Sequence, residues 1–262
     1  MAVDFEKRMI AAFAARGITV PLTVLTVTDS TNTLAKRAAA EKGVRDGFFI
    51  AQRQSGGRGR LGRSFLSDDG GLYFSYLTRP DTSPEDALML TVRASVAAAE
   101  AIEALCGASV GIKWVNDLHL GGKKIAGILT EGAVAEGGES LLYAVIGIGI
   151  NVHARAFPPE LADIATDIET ECGAHLDIAE LAAELSARLV EIEKRPREDY
   201  MAAYRRASVC IGRRVRVITP TCEYFARAVD IGERGALHVI REGEESITEL
   251  STGEISIRFD NN

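Results

Sequence analysis

Hydrophobic residues recur with helical spacing in some segments of the chain and alternate in others. Phe5, Met9 and Phe13 are four residues apart, which predicts an amphipathic helix over residues 4–16 that ends at Gly17. Similar patterns predict further helices at about residues 30–42, 84–106, 178–194 and 197–206. Alternating or continuous apolar segments predict strands at residues 22–27, 47–52, 72–77, 109–115, 117–120, 123–132 and 141–150.

Capping residues and turn residues mark the ends of several of these elements. The DST segment at residues 29–31 is expected to cap the second helix, and Pro84 is expected in the first turn of the third. The Gly-Gly pair at residues 121–122 predicts the tight turn of a hairpin. Residues 53–71 lack periodicity and predict a long loop, and residues 151–177 predict an irregular connection.

The pattern changes near residue 210. From there, short alternating segments follow one another and are separated by glycine turns. Several short strands at close spacing predict a small all-β barrel. We therefore expect two domains, at residues 1–207 and 208–262.

The composition narrows the class of protein. The chain has 262 residues, of which 47% are hydrophobic and 26% charged, which is typical of a globular protein with a sizeable core. A net charge of −7 argues against a general nucleic-acid binder, which carries a broad basic face. The four cysteines form no C-x-x-C pair and predict reduced thiols. Acidic residues near the N-terminus exclude a signal peptide, and the longest apolar run is about half of a membrane span. We expect a cytoplasmic protein with no membrane partner.

Four arginines fall within eleven residues of this acidic chain, around the segment GGRGRLGR. They are Arg53, Arg58, Arg60 and Arg63. Glycine lets the backbone bend and approach a ligand, and the planar guanidinium group matches phosphate and carboxylate oxygens. A solvated basic loop is the alternative, but the interleaved glycines favour phosphate binding.

The glycines of this segment match a known nucleotide-binding pattern only in part. Gly57, Gly59 and Gly62 satisfy G-x-G-x-x-G, but SFLSDDGG follows where a helix would have to begin and hold a pyrophosphate. The Gly-Lys pair at residues 122–123 precedes a lysine instead of the Ser or Thr of a P-loop. Both motifs are therefore rejected.

The segment KWVNDLHLGGKKIAGIL places charged groups on two strands joined by a tight turn. Its polar side chains include Lys113, Asn116, Asp117, Lys123 and Lys124. Alternation predicts that Lys124 shares a strand face with Ala126 and Ile128. Lys124 is either an edge residue whose stem lies along apolar surface or a point charge directed into a cleft. Asp117 likewise has two interpretations, a functional carboxylate or a residue that only shapes the turn.

Two further motifs also have a structural and a functional interpretation. In IGIGIN, residues 146–151, alternating glycines remove side chains where a backbone or a flat ligand comes close, and Asn151 ends the strand. Tight strand packing is the simpler interpretation. DSTN, residues 29–32, is an adequate helix cap and also presents hydroxyl and amide groups to a small polar head group.

Four segments of the chain, in the order in which they occur, resemble those of the biotin–protein ligases, also called biotin–[acetyl-CoA-carboxylase] ligases. They are DSTN, QSGGRGRLGR, KWVNDL with KKIAGIL, and IGIGIN. The resemblance covers about residues 22–260, and its GRGRLGR and KKIAGIL segments are specific to that family. It implies an α+β fold with a catalytic domain akin to class II aminoacyl-tRNA synthetases and lipoate ligases. That domain has a mixed, largely antiparallel sheet and precedes a small Src-homology-3-like β-barrel.

The resemblance also implies roles for individual residues. Lys124 would bridge the biotin carboxylate and the α-phosphate, Arg60 would help catalysis, and Asp117 would be the base or orienter for the acceptor lysine. The implied substrate-binding residues are Ser30, Thr31 and Asn32 at the biotin head group, Gln54 beside its ring, and Gly57, Arg58, Gly59, Arg60 and Lys124 around its carboxylate. The implied nucleotide-binding residues are Arg58, Arg63, Phe65, Lys113, Trp114, Asn116 and Asn151.

Two positions depart from the family pattern. Val115 replaces the usual proline after the tryptophan, which changes local rigidity but removes no chemical group. Phe65 stands where the family often has tryptophan in the segment that follows the arginines, and its ring can still cover an adenine face. Because only 28 residues precede DSTN, we expect a form without the N-terminal DNA-binding domain of some members, and no DNA binding.

The reaction implied by the resemblance has two steps. Biotin and ATP form biotinyl-5′-AMP with Mg²⁺, for which no ligands are identified. Biotin then passes to a lysine of the biotin carboxyl carrier protein of acetyl-CoA carboxylase or of another biotin-dependent carboxylase. A lipoate–protein ligase of the same fold and a non-catalytic biotin-binding regulator remain alternatives, and homodimerisation through the central sheet stays open.

Overall fold

The computed structural model describes residues 2–251 and 256–259, which contain seven α-helices and twelve strands. The helices are α1 Ala2–Ala15, α2 Thr31–Glu41, α3 Leu88–Cys106, α4 Pro159–Ala162, α5 Ile168–Cys172, α6 Ile178–Ile192 and α7 Arg197–Ala207. The strands are β1 Leu22–Thr28, β2 Gly47–Gln54, β3 Gly71–Thr78, β4 Gly111–Lys113, β5 Asp117–Leu120, β6 Lys123–Val134, β7 Leu141–Asn151, β8 Arg214–Ile218, β9 Glu223–Ile231, β10 Leu237–Arg241, β11 Ile247–Leu250 and β12 Ser256–Phe259.

The strands form two sheets. The first is mixed, with the order β1-β2-β3-β7-β6-β5-β4; β1 and β2 are parallel, and the other neighbours are antiparallel. The second is antiparallel, with the order β11-β10-β9-β8-β12. The predicted α+β fold, with a largely antiparallel sheet and a small C-terminal β domain, is confirmed. The boundary between residues 207 and 208 stays a prediction, and the glycine turn expected at residue 253 lies outside the described residues.

The two faces of the seven-stranded sheet have different partners. In β7, Ile146, Ile148 and Ile150 belong to the main hydrophobic core, which also contains the buried residues of α3 and α6. Strand side chains alternate between the faces, so Gly147 and Gly149 lie on the opposite face, where α2 packs. The strand thus buries one row of side chains and leaves the other row nearly flat.

A smaller apolar cluster holds α2 on this second face. Three alanines of the helix contact larger side chains of β2, β3 and β7, and its buried members are Ala35, Ala38, Ala39, Phe49, Leu77 and Val145. Alanine occupies little volume and has the highest helix propensity, so α2 can lie close to the sheet. The first turn of α2 is thereby fixed near the carboxyl end of β2.

Three local predictions are wrong. The strand predicted at residues 109–115 is only Gly111–Lys113, because a turn follows it. Residues 151–177 are not wholly irregular, since they contain α4 and α5. Pro84 is not in the first turn of α3 but begins a separate 3-10 turn, Pro84–Asp86, in which the side chain of Ser83 accepts the Asp86 N–H.

Two bulk features can be compared with the expectations from composition. Each of the four cysteines is a free thiol. Within the described parts of the chain, no helix combines the length and the apolar character that crossing a membrane requires.

Tyr204 of α7 supports the turn between β4 and β5. Its side chain is fully buried, and its hydroxyl donates a hydrogen bond to the Val115 carbonyl over 2.9 Å. Burial raises the pKa of Tyr204 well above its ordinary value, so the hydroxyl keeps its proton and remains a donor.

We expect Tyr204→Phe to lower the free energy of unfolding by about 1–2 kcal/mol, because the buried Val115 carbonyl loses a donor. Urea unfolding followed by circular dichroism measures this change. Tyr143→Phe, at a half-buried tyrosine of β7, is the matched control. Equal losses of unfolding free energy in the two variants would show that the hydrogen bond from Tyr204 to the Val115 carbonyl does not stabilise the fold.

Candidate functional site

A cavity of about 470 Å³ opens on the face of the seven-stranded sheet that carries α2. We call residues 55–70, between β2 and β3, the arginine loop; it borders the cavity together with β5, β6, β7 and the segment that follows β7. The cavity brings together every residue predicted for the site except Gly57. These residues are Ser30, Thr31, Asn32, Gln54, Arg58, Gly59, Arg60, Arg63, Phe65, Lys113, Trp114, Asn116, Asp117, Lys124 and Asn151.

Gly57 shapes the arginine loop from behind the cavity. Its carbonyl accepts the Phe65 N–H over 2.9 Å, which joins the two arms of the loop. A Cβ at this position would lie 2.3 Å from the Phe65 carbonyl oxygen and 2.3 Å from Ser67 Oγ. Any larger residue would therefore separate the arms.

Neutral polar groups form a buried network at the start of α2. Gln54 Oε1 accepts from the backbone N–H of Thr31 at 2.8 Å and from its hydroxyl at 3.1 Å. Ser75 Oγ lies 2.7 Å from Thr31 Oγ1 and 2.6 Å from Asn32 Oδ1. Ser30 is the N-cap residue, but its side chain makes no capping bond. The predicted position of the cap is therefore correct, but Gln54 from β2, and not Ser30, supplies the side-chain acceptor for the first turn.

Glu131 connects this network to the arginine loop. Its carboxylate accepts from Asn32 Nδ2 at 2.9 Å and from Lys36 Nζ at 2.7 Å, and Arg58 lies 3.6 Å away. Burial raises the pKa of Glu131, but hydrogen bonds from Lys36 and Asn32 outweigh that effect and hold the pKa below its usual range. The ionised carboxylate thus holds three donor groups in place.

Two cations of the cavity are each held by a polar partner. Arg60 donates to Asn116 Oδ1 over 3.2 Å, and Asn116 Nδ2 in turn donates to the Ile128 carbonyl over 2.7 Å. Lys124 Nζ donates to Asp117 Oδ1 over 2.7 Å. Burial lowers the pKa of Arg60, although a guanidinium group stays protonated in proteins. The positive charges are therefore fixed before any ligand arrives.

A bulge in β6 determines the direction of Lys124. The prediction that Lys124 shares a face with Ala126 and Ile128 is wrong, because the pairing with β5 skips Ile125. The extra residue reverses the alternation, so Ile125 enters the core and Lys124 faces the cavity. A Cβ on Gly127 would lie 3.2 Å from Lys124 Nζ, which places the lysine beside that glycine.

The glycines of β7 admit side chains from other elements. A Cβ on Gly147 would lie 2.1 Å from Asn32 Oδ1, and a Cβ on Gly149 would lie 2.6 Å from the Phe65 ring. The Phe65 ring also meets Tyr73 edge-on, with 6.4 Å between ring centroids. IGIGIN is therefore a close-packing motif whose partners are themselves residues of the cavity.

Arg155 lines the cavity, and the sequence did not reveal it. It donates to Asn151 Oδ1 and, over 3.3 Å, to the Tyr73 hydroxyl, and its guanidinium lies 5.0 Å from the centroid of the Phe157 ring. Its Nε is buried and has no hydrogen-bond partner among the described residues. Asn151 Nδ2 donates to the Thr166 carbonyl over 3.0 Å. A lone arginine in a segment without periodicity gave no signal.

Trp114 joins the cavity to the second sheet. Its side chain is buried, and its indole N–H donates to the Gly235 carbonyl over 2.9 Å. Lys113 precedes it at the end of β4 and also lines the cavity. The cavity therefore has neutral polar groups at its α2 end and several cations along its other walls. Such a site suits a ligand that combines a polar head group with anionic groups.

We expect Gly149→Ala to lower the free energy of unfolding by about 1–3 kcal/mol, because the Phe65 ring must leave its place. Gly47→Ala is the matched control within a strand, since its Cβ would meet its nearest neighbours at an ordinary 3.4 Å. Urea unfolding of both variants measures the difference. The packing account fails if Gly149→Ala is as stable as Gly47→Ala.

Comparison with known proteins places this geometry in a family. Residues 24–151 match the family model of the biotin/lipoate A/B protein ligases, and residues 210–258 match that of the biotin protein ligase C-terminal domain. The bifunctional ligase/repressor BirA of Bacillus spizizenii is 33% identical over 242 residues, which cover 88% of this chain and 72% of that protein. The biotin–[acetyl-CoA-carboxylase] ligase of Mycobacterium tuberculosis is 32% identical over 227 residues, 82% of each chain.

A solved structure agrees with these matches. The biotin protein ligase from Aquifex aeolicus in complex with biotin and ATP superposes with a TM-score of 0.76 and 29% identity, over 92% of this chain and 99% of that one. The family matches and the superposition therefore both include residues of the two sheets. The chain belongs to the biotin/lipoate A/B protein ligase family and, within it, to the biotin protein ligases.

Proposed function

We propose that this protein uses ATP to convert biotin to biotinyl-5′-AMP and then transfers the biotin to a lysine of a carrier protein. Its membership of the biotin protein ligases supports this function. The observation that carries the proposal is the position of Lys124 and Arg60, two oriented cations, in the cavity that also holds the buried polar network at α2.

Charge neutralisation is the central requirement of the first step. The biotin carboxylate must approach the α-phosphorus of ATP, and both groups are negative. Two unit charges 4 Å apart repel by about 4 kcal/mol in a site of intermediate dielectric. Fixed cations offset this repulsion and need no reorganisation during the reaction. In this proposal Lys124 contacts both anions, and Arg60 adds a second positive charge.

We assign the α2 end of the cavity to the biotin head group. Ser30, Thr31 and Asn32 present hydroxyl and amide groups there, and Gln54 holds Thr31 in position. A buried site with oriented hydrogen-bonding groups selects a ligand that satisfies all of them. The carboxylate end of biotin then points toward Lys124 and the arginine loop, where Arg58, Gly59 and Arg60 line the cavity.

The nucleotide occupies the remaining walls in this proposal. The residues assigned to it are Arg58, Arg63, Phe65, Lys113, Trp114, Asn116 and Asn151, with Arg155 added from the structure. Arg155 donates to Asn151, so it positions that amide and adds a guanidinium group suited to phosphate. In the reaction, a carboxylate oxygen of biotin bonds to the α-phosphorus while the bond to pyrophosphate breaks.

Asp117 serves the second step. The acceptor amine attacks the acyl carbon of the adenylate, AMP leaves, and the amine must lose a proton. Asp117 lines the cavity and already accepts a hydrogen bond from Lys124. It therefore orients Lys124 in the first step and provides a carboxylate that can orient the acceptor amine or accept its proton in the second.

Mg²⁺ fits this site as an ion that arrives with ATP. Protein sites often bind Mg²⁺ through one or two carboxylates together with substrate phosphates. Among the described residues, the carboxylates that line the cavity are those of Asp117 and Asp163, and Asp117 is paired with Lys124. These groups do not form a dedicated metal cage. A bound ion would supply additional neutralisation of the phosphate charge.

The acceptor belongs to the carrier proteins of biotin-dependent carboxylases. The Mycobacterium tuberculosis relative is a biotin–[acetyl-CoA-carboxylase] ligase, which supports the biotin carboxyl carrier protein of acetyl-CoA carboxylase as the acceptor here. A carrier lysine must reach the acyl carbon, so the carrier docks at the mouth of the cavity beside Asp117.

We expect Lys124→Met to reduce biotin-dependent pyrophosphate release by about 10²–10³-fold, because an oriented charge is lost while the apolar stem remains. Lys123→Met is the control. Lys123 is half-buried like Lys124, lies outside the cavity, and donates to the Ala162 carbonyl over 2.9 Å.

Pyrophosphate release is measured with biotin, ATP and Mg²⁺, and circular dichroism verifies that each variant is folded. A wild-type rate for folded Lys124→Met would contradict the role of Lys124. Equal losses in both lysine variants would show that the effect is not specific to the cavity.

A further inference from the structure

Two imidazoles and a carboxylate come together outside the cavity. His153 follows β7, Glu169 lies in α5, and His175 precedes α6. One ligand atom from each lies within 4.8 Å of the other two. His153 Nδ1 is 3.5 Å from Glu169 Oε2, and His175 Nδ1 contacts Glu169 Oε1. None of these residues belongs to the motifs of the proposed reaction.

The two rings face the carboxylate in the same way. They stack with 4.6 Å between centroids and an interplanar angle of 6°. His153 Nδ1 is buried and has no hydrogen-bond partner among the described residues, because its 3.5 Å contact with Glu169 does not meet hydrogen-bond geometry. A buried polar atom without a partner is unfavourable, so it points to a ligand that would satisfy it.

The backbone holds two of the three side chains in place. Glu169 Oε2 accepts the Ala154 N–H over 2.8 Å, and the Glu169 N–H donates to the Val152 carbonyl over 3.0 Å. The His153 N–H donates to the Gly70 carbonyl over 2.8 Å. The cluster therefore joins the end of the arginine loop, the end of β7 and α5.

We propose that His153, Glu169 and His175 form a binding site for a divalent late transition metal, for which Zn²⁺ is the probe. Imidazole nitrogen and carboxylate oxygen are ligands that Zn²⁺ prefers, whereas Mg²⁺ and Ca²⁺ prefer oxygen alone. With bonds of about 2.0–2.1 Å, the ligand atoms of a tetrahedral Zn²⁺ lie about 3.3 Å apart. The cluster must contract slightly, which the 73% exposed side chain of His175 allows.

A second cavity adjoins the cluster and leaves room for water at the fourth position of the ion. It has a volume of about 320 Å³ and is lined by His153, His175, Gly70 and Arg8, among others. The positive charge of Arg8 opposes a cation, but Arg8 lies 2.9 Å from the carboxylate of Asp177, which offsets it. Three protein ligands and one open position are a normal arrangement for Zn²⁺.

The position of the site gives the ion a structural role. The segment between His153 and His175 carries Arg155, which lines the 470 Å³ cavity. The same segment also forms two backbone hydrogen bonds with Lys124. The Lys124 N–H donates to the Ile164 carbonyl, and the Thr166 N–H donates to the Lys124 carbonyl. An ion bound at both ends of the segment would therefore stabilise one wall of the proposed active site.

The test is titration of the untagged full chain with Zn²⁺ by calorimetry, without biotin or ATP. We expect one equivalent to bind. His175→Ala should weaken this binding roughly tenfold or more, since even groups that only support a ligand contribute that much. Because His175 is exposed, its removal leaves the core intact. Zn²⁺ should raise the melting temperature of the wild type and not that of His175→Ala.

His238→Gln is the matched control, because this histidine pairs with Glu249 in the second sheet, away from the cluster. It should bind Zn²⁺ like the wild type. Titration with Co²⁺ gives a second readout, a visible spectrum without a thiolate charge-transfer band. The proposal is overturned if the wild type binds no ion, if His175→Ala binds as tightly as the wild type, or if the spectrum shows cysteine ligands.

Discussion

The ammonium group of Lys124 lies 2.7 Å from the carboxylate of Asp117, and the position of this ion pair depends on one extra residue in β6. Without the bulge at Ile125, alternation would turn Lys124 into the apolar core between the sheet and α3. A charge cannot be buried there without a large penalty. The bulge directs Ile125 into the core and Lys124 into the cavity. The same extra residue therefore fills the core with an apolar side chain and supplies the cavity with a positive charge.

The rest of the cavity follows from the same division between the two faces of the sheet. On β7, the isoleucines fill the core, and the glycines opposite leave space for Asn32 and Phe65. Asn32 then reaches Glu131, whose carboxylate also holds Lys36 and stands near Arg58. The polar side chains of the cavity are therefore positioned by hydrogen bonds and ion pairs to residues whose own positions are fixed by packing. Such preorganisation is what electrostatic catalysis requires.

Local patterns in the sequence predicted most elements of the fold, and every site residue that the family resemblance implied, except Gly57, lines the cavity. Alternation located the strands, and the spacing of glycine and arginine located the loop. Ser75, Glu131 and Arg155 were missed, since each gains its importance from partners distant in the chain. The prediction that Lys124 shares a strand face with Ala126 and Ile128 was wrong, because a bulge depends on the register of two strands and cannot be read from one of them. The domain boundary and the roles of the site residues stay predictions.

For the proposed reaction, one cavity must hold the carboxylate of biotin and the α-phosphate of ATP together. Exchange of labelled pyrophosphate into ATP reports this reversible step before any carrier is involved. With Mg²⁺ present, we predict exchange when biotin is added, none without it, and a far slower rate when lipoate replaces it. Exchange that proceeds without biotin, or faster with lipoate, would contradict the account.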